Sequence, residues 1–176
     1  MASATFPTAI GDCTLSWDTA GLTGFSLPLT PRFESSPSSA VRPPPSAVGR
    51  PPSVVYPPEI AALIARVQRH LAGEPQDFSD LDYDWSRVTA FRSRVLRALL
   101  RVKPGRTATY GDLARAIGAK PGTARAIGGA VGANPWPLLV PCHRILGAGG
   151  KLTGYSAPGG IRTKAKLLAL EGLNAA

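Results

Sequence analysis

Cysteine is almost missing from this chain: of 176 residues only Cys13 and Cys142 carry thiols, and only two are histidine. Two cysteines 129 positions apart cannot build a disulfide scaffold, and such usage fits a reducing compartment. Long hydrophobic runs are missing too. No apolar stretch approaches the ~20 residues of a membrane span, and the opening residues lack a basic segment followed by an apolar one. The expectation is a cytoplasmic protein with no membrane contact. Acidic residues are scarce where they matter most. Residues 91–176 hold fourteen Lys or Arg against Asp112 and Glu171, a net of +12, whereas residues 1–90 hold six Arg against nine acids, a net of −3. The overall charge of +9 is therefore concentrated in the second half, which suits a polyanion and nucleic acid above all.

What is present is apolar enough, at 44% hydrophobic residues, to bury a core. The 19 Gly and 18 Pro confine regular structure to part of the chain. Near the start, Cys13, Leu15 and Trp17 alternate with Thr14, Ser16 and Asp18, then Thr19-Ala20-Gly21 turns the chain into Leu22–Leu29. This predicts a β-hairpin. Residues 31–58 carry nine Pro and six Ser, the composition of a long, mobile loop. Pro58-Glu59 opens a helix with Ile60, Leu63, Ile64, Val67 and Leu71 on one face, closed by Gly73. A second helix starts near Thr89, with Phe91, Val95, Leu96, Leu99 and Leu100 at helical spacing and Arg92, Arg94, Arg97 and Arg101 on its other face.

Two short helices follow. Thr109 and Asp112 match a capping box before Leu113, Ala114 and Ile117. Gly118 to Lys120 make a turn, and Pro121 is placed to open a helix reaching about Val131. This is the outline of a helix-turn-helix, whose second helix normally enters a DNA groove. That helix is unusual in composition: Thr123, Ala124, Ala126, Gly128 and Gly129 surround one long side chain, Arg125. Internal glycines cost a helix about 1 kcal/mol each, so close approach to another surface, a DNA groove or a neighbouring helix, must compensate.

The apolar run Leu138-Leu139-Val140 reads as a buried strand delivering the chain to Pro141-Cys142-His143-Arg144. A free thiol is only a few per cent thiolate at neutral pH, so a nucleophilic Cys142 needs a base or cation, and His143 and Arg144 are candidates. Neighbours on a strand face opposite ways, which favours contact between Cys142 and His143 through a water. Taken alone, the pair also fits a buried, inert cysteine.

Blocks in a fixed order resolve that ambiguity. Thr109-Tyr110-Gly111-Asp112-Leu113-Ala114, Ala124-Arg125-Ala126, Asn134-Pro135, Pro141-Cys142-His143-Arg144, Leu152-Thr153-Gly154-Tyr155, Lys164 with Leu167-Leu168, and Glu171-Gly172 together closely resemble the O6-alkylguanine-DNA alkyltransferases. The likeness runs from about Phe91 to Gly172 and is looser before it. It implies an α+β protein: a small N-terminal α/β domain, RNase H-like, over 1–88 with its Pro/Ser-rich loop at 31–58. Residues 89–176 would form a mostly helical domain with a winged helix-turn-helix and the active-site cysteine.

The resemblance also implies roles. Cys142 would accept the alkyl group from O6 of a flipped guanine, irreversibly and once per molecule, with O4-alkylthymine as a second substrate. His143 would act as base through water, and Glu171 would orient the imidazole. Tyr110 would protonate the leaving base, Lys164 would lie near the acceptor, and Pro137, Tyr155 and Ser156 would line the pocket. Asn134 would hold the loop between the DNA helix and the active site. Arg125 would fill the vacated stack, with Thr123, Ala124, Ala126, Gly128 and Gly129 against the minor groove of double-stranded DNA. No cofactor and a monomer are implied. Ala157-Pro158 lengthen the segment before Lys164 and bear on the pocket rim. Some relatives hold a structural zinc, but Cys13 and His70 alone cannot complete a tetrahedral N/S site, so no metal is expected. His70, beside Arg69, is expected at the surface. Three other readings remain: a binding-only relative, which would lack the acceptor cysteine; a cysteine hydrolase; and a plain helix-turn-helix regulator, which would not need the block from Pro141 to Glu171.

Overall fold

A computed structural model of the chain describes residues 1–33, 56–120 and 122–173, so most of the Pro/Ser-rich segment, and Pro121, lie outside the described residues. The first element is an antiparallel sheet of three strands in sequence order: β1 (Ala2–Thr8), β2 (Gly11–Asp18) and β3 (Gly21–Ser26). The expected hairpin is β2–β3, although its second strand ends at Ser26. Strand β1 is an addition: its short run Ala2-Ser3-Ala4-Thr5 gives little alternation, yet it pairs in full register, Ala2 opposite Trp17 through Thr8 opposite Gly11. One face of the sheet buries Ala4, Phe6, Cys13, Leu15, Leu22 and Phe25.

Helix α1 (Pro58–Leu71) lies against β1, with Pro58 in its first turn and Glu59 at its positive end. Its apolar face buries Ile60, Leu63, Ile64, Val67 and Leu71, as the spacing requires, and His70 with them. The surface position expected for His70 is therefore wrong. It falls three residues after Val67 and seven after Leu63, on the buried face of a 3.6-residue helix.

The basic half supplies four helices: α2 (Ala90–Leu99), α3 (Tyr110–Ala116), α4 (Ala124–Gly132) and α5 (Gly160–Leu170). Thr89 caps α2, its hydroxyl accepting from the Arg92 N–H at 3.3 Å. Thr109 and Asp112 form the expected capping box on α3, with distances of 2.7 and 3.1 Å. Helix α4 opens at Ala124, after Thr123, and packs on α2 and α3. Two short strands, β4 (Ala108–Thr109) and β5 (Ile145–Leu146), pair in parallel and bring the start of α3 beside the chain leaving Cys142. Among the described residues no helix is long and apolar enough to cross a membrane.

The acidic and basic halves share one core, joined at the loop behind the cysteine. Strand β3 donates from Phe25 N to Pro135 O at 2.9 Å, and Leu22 O accepts from the Trp136 indole at 2.9 Å. Trp136 lies edge-on to Tyr83 and Trp85, at centroid distances of 5.2 and 5.3 Å. The Tyr83 hydroxyl reaches Leu139 O at 3.2 Å. Gly21 is needed at this junction: its φ is +124°, and a Cβ there would meet Asp82 O at 2.7 Å.

Candidate active site and nucleic-acid interface

The run Leu138-Leu139-Val140 is not the strand expected from its composition. It is a tight turn in which Val140 N donates to Trp136 O at 2.8 Å and Leu138 sits at φ +76°, a left-handed conformation rare for a leucine. The turn is fixed from within by Asn134, whose amide donates to Val140 O at 2.9 Å and whose carbonyl oxygen accepts from Trp136 N at 3.0 Å. From outside it is fixed by Tyr83, whose hydroxyl reaches Leu139 O, and by Leu22 O, which holds the Trp136 indole. A strained turn this well braced fits a place where geometry outranks local preference.

Cys142 opens the 3-10 turn Cys142–Arg144 that follows, so strand alternation does not govern how it and His143 point. Its sulfur is buried, and burial pushes the thiol up. The Asn134 amide, the Tyr155 hydroxyl, the Leu138 N–H and the Lys164 ammonium oppose that rise. The Tyr155 hydroxyl is itself buried beside the sulfur without a well-formed hydrogen bond, and burial followed by the neighbouring thiol raises it well above the tyrosine norm. Lys164 is buried in α5 and donates to Ile145 O and, at 3.1 Å, to Thr153 O. It thereby ties the chain after the cysteine motif to the segment carrying Tyr155. Burial pulls its ammonium below the usual lysine range.

His143 is fully buried. Its Nε2 is 3.0 Å from Oε1 of Glu171, at the C-terminal end of α5, while its Nδ1 is buried with no partner among the described residues. A carboxylate can only accept, so the proton sits on Nε2 and the lone pair on Nδ1. Burial holds the imidazole down to about 4, against the pull of Glu171. The resting site is thus a thiol beside a neutral imidazole.

Arg144, named from sequence as a possible cation for the thiol, is committed elsewhere. It donates to both oxygens of Glu171 at 2.8–3.1 Å and to Val102 O at 2.6 Å. Gly105 N adds a contact to Oε2 at 3.3 Å, and His70 Nε2 lies 3.3 Å from Oε1. Burial alone would raise the Glu171 carboxyl, but His143, His70 and Arg144 outweigh it and hold the group far below the carboxylate range. His70, His143 and Glu171 offer ligand atoms within 4.8 Å of one another. The Arg144 guanidinium already lies on that carboxylate, and a cation held there would face it directly, so this donor set does not suit a metal.

The remaining expected residues sit on α3, on α4 and in the loops before and after Cys142. Tyr110 begins α3, half-buried, with its ring 3.9 Å from where a Gly128 Cβ would stand. Pro137 is half-buried and forms a bridge with Val140; Ser156 is exposed beside Tyr155. After Ala157-Pro158, Pro158 O accepts from the Thr163 hydroxyl at 2.7 Å, anchoring the segment to α5. On α4, Ile127, Ala130 and Val131 face inward, while Ala124, Arg125, Ala126 and Gly129 are exposed; Thr123 and Gly128 are half-buried. Arg125 makes no ion pair among the described residues. Among the described residues nothing beyond the helix's own backbone lies within 4 Å of a Cβ placed on Gly129, so packing against other elements does not demand a glycine there. Sequence reasoning missed His70, the clamp role of Arg144 and the Leu138 turn; for His70 the helical spacing was the available signal.

Known proteins resemble this chain in sequence and in fold. The family model for the 6-O-methylguanine DNA methyltransferase DNA binding domain matches residues 90–173. A methylated-DNA–protein-cysteine methyltransferase of Mycobacterium tuberculosis is 47% identical over 115 residues, covering 65% of this chain and 67% of that protein. Its counterpart from Haemophilus influenzae is 42% identical over 104 residues, 59% of this chain and 56% of that protein. Among solved structures, Mycobacterium tuberculosis OGT in complex with DNA superposes with a TM-score of 0.69 at 37% identity, covering 97% of this chain and 92% of that one. An O6-methylguanine-DNA methyltransferase from Pyrococcus kodakaraensis, 24% identical, shares the fold with a TM-score of 0.63 over 97% of this chain and 98% of that one. Sequence identity and shared fold together show that the chain belongs to the methylated-DNA–protein-cysteine methyltransferase family.

Proposed function

We propose that this protein repairs O6-alkylguanine in double-stranded DNA by moving the alkyl group, once and irreversibly, onto Sγ of Cys142. The observation that carries the proposal is the buried thiol followed directly by a neutral imidazole whose far nitrogen is held by Glu171. The thiol proton passes through a water to Nδ1 of His143, and Glu171 stabilises the imidazolium that forms. The thiolate attacks the alkyl carbon, an S–C bond forms, and the C–O6 bond breaks with its electron pair going to the purine. Tyr110 supplies a proton to the departing guanine. The thioether offers no good leaving group, so the protein is consumed. Neither cofactor nor metal enters this balance, since the alkyl group comes from the DNA and stays on sulfur.

The target atom is inaccessible inside a duplex, so the nucleotide must be flipped, at a cost of a few kcal/mol. In this reading α4 lies in the minor groove, where Ala124, Ala126, Gly128 and Gly129, with Thr123 at the helix start, allow close approach. Arg125 takes the place of the flipped base. Asn134 braces the loop between that helix and Cys142, Lys164 steadies the segments on either side, and Pro137, Tyr155 and Ser156 border the base pocket. O4-alkylthymine is proposed as a second substrate. The N-terminal part, 1–88, is read as an RNase H-like support and 89–176 as a winged helix-turn-helix domain carrying the acceptor, in a monomer acting in the cytoplasm. The antiparallel sheet followed by α1, and the α3–α4 pair beside β4 and β5, support that reading.

The test is a Cys142→Ser variant incubated with duplex carrying labelled O6-methylguanine. It should bind the duplex as the parent does and take up no label; label on the serine variant would remove Cys142 from the acceptor role.

A further inference from the structure

The chain has two histidines, and both bring Nε2 to the same oxygen, Oε1 of Glu171. One follows the acceptor cysteine; the other comes from α1 in the N-terminal half. We propose that His70 is a positioning residue of the alkyl-transfer site, fixing from α1 the carboxylate oxygen on which His143 rests. The proposal depends on the reading of His143 as the base for Cys142.

The orientation of the His70 ring is set independently of Glu171. Gln76 N–H donates to His70 Nδ1 at 3.0 Å, so that nitrogen is an acceptor and the ring proton sits on Nε2. The ring also packs on Phe78, with centroids 5.5 Å apart and planes at 52°. Its Nε2–H is then aimed toward Oε1 at 3.3 Å, close but imperfectly aligned. The two imidazoles stand 6.4 Å apart at 74°, and both bring Nε2 to the same carboxylate oxygen. The charged or titratable groups facing His70 are Glu171, His143 and Arg144 from the basic half. From its own half the Arg66 guanidinium, paired with Asp80 at 2.7 Å, lies over Phe78, 5.4 Å from that ring's centroid.

Oε1 therefore accepts from His143 and Arg144, with the Nε2–H of His70 directed at it from 3.3 Å. Arg144 fixes the plane of the carboxylate, and His70 adds a donor from the opposite half of the molecule. A donor on Oε1 draws away part of the negative charge that would favour an imidazolium at His143. It also ties the α1 support to the reacting centre, α1 and α5 being in contact. Removing that donor should make His143 more basic and its position looser.

The experiment uses the full chain and His70→Phe and His70→Gln variants. Imidazole ¹⁵N NMR, with two histidines assigned by the variants, is followed against pH. In parallel, the single-turnover rate of methyl transfer from O6-methylguanine duplex is measured from pH 3.5 to 8.5, a range that brackets the His143 midpoint. Both wild-type rings should be Nε2–H tautomers, and added Zn²⁺ should leave their signals in place. In His70→Phe the His143 midpoint and the acid limb of the rate should move up by about one pH unit. Transfer at pH 7.5 should slow roughly tenfold. His70→Gln, which keeps an N–H donor, should restore most of both. A His70→Phe protein that is slow with an unmoved His143 midpoint and acid limb has lost only packing, and overturns the proposal. So does a variant that matches wild type, or Zn²⁺ capture by both Nε2 atoms. Failure of wild type to methylate Cys142 would instead defeat the functional reading, while the tautomers would still report where His70 points.

Discussion

Nε2 of His143 stands 3.0 Å from Oε1 of Glu171, and the opposite nitrogen of the same ring, Nδ1, is buried without a partner among the described residues. One carboxylate thus fixes the tautomer, points the free lone pair away from itself, and waits to share the positive charge that proton transfer creates. The arrangement is built at rest for a base, because burial keeps the imidazole neutral near pH 7.

Keeping a buried histidine neutral has a consequence for acid stability. The His143 imidazole is lowered from 6.5 to about 4, so between those values the unfolded chain binds the extra proton. The stability this site contributes is complete above pH 6.5 and falls as pH drops toward 4, by about 3 kcal/mol at most. Glu171, held far below its ordinary 4.5, adds a loss in the same direction as pH falls below that value. Urea denaturation at pH 7.5, 6 and 4.5 should show a falling midpoint with an unchanged slope. A midpoint flat across that range would contradict the neutral buried imidazole.

Gly129 lies in the middle of α4 with open space around its missing Cβ. Gly129→Ala should raise stability by about 1 kcal/mol, since no other element among the described residues resists the methyl and alanine suits a helix better. The same methyl would stand between the helix and the groove floor, so duplex affinity should fall. Thermal denaturation and fluorescence anisotropy with a labelled duplex check the two arms. A variant that gains stability and binds DNA unchanged would take this face of α4 off the DNA.

Arg125 is exposed and leaves the helix among alanines and glycines. As the side chain that fills the gap behind a flipped base, it matters for duplex and not for a base already free. Arg125→Ala should slow repair of O6-methylguanine in duplex at least tenfold while leaving reaction with free O6-benzylguanine within about twofold, each followed by single-turnover kinetics. Equal losses on both substrates would exclude the role.

Much of this was legible in the sequence, for physical reasons that can be named. Helix α1 could be read because Ile60, Leu63, Ile64, Val67 and Leu71 recur at its period between a proline start and a glycine stop. The start of α3 could be read because Thr109 and Asp112 satisfy each other's backbone groups locally. Strand β1 escaped because Ala2 and Ser3 hold their places through pairing with β2 alone, and Ala4 through pairing and burial, which only the folded chain supplies. The Leu138–Val140 run misled because three consecutive apolar residues suit a buried turn as well as a buried strand. What decided for the turn was bracing by Asn134 inside the loop and, from distant positions, by Tyr83 on Leu139 O and Leu22 O on the Trp136 indole. His70 was misplaced through its charged neighbour Arg69, when its distance from Val67 and Leu63 was the better guide. Arg144 could not be assigned to Glu171 from sequence, because 27 residues separate them and only the fold brings them together.

The central claim is that one buried thiol takes one alkyl group and keeps it. Intact-mass measurement of the full chain after incubation with excess duplex carrying O6-methylguanine tests it most directly. The mass should rise by a single methyl group and then stop, with peptide mapping placing that methyl on Cys142 and leaving Cys13 unmodified. No gain in mass, a methyl on Cys13, or repeated turnover of substrate by unmodified protein would contradict the account.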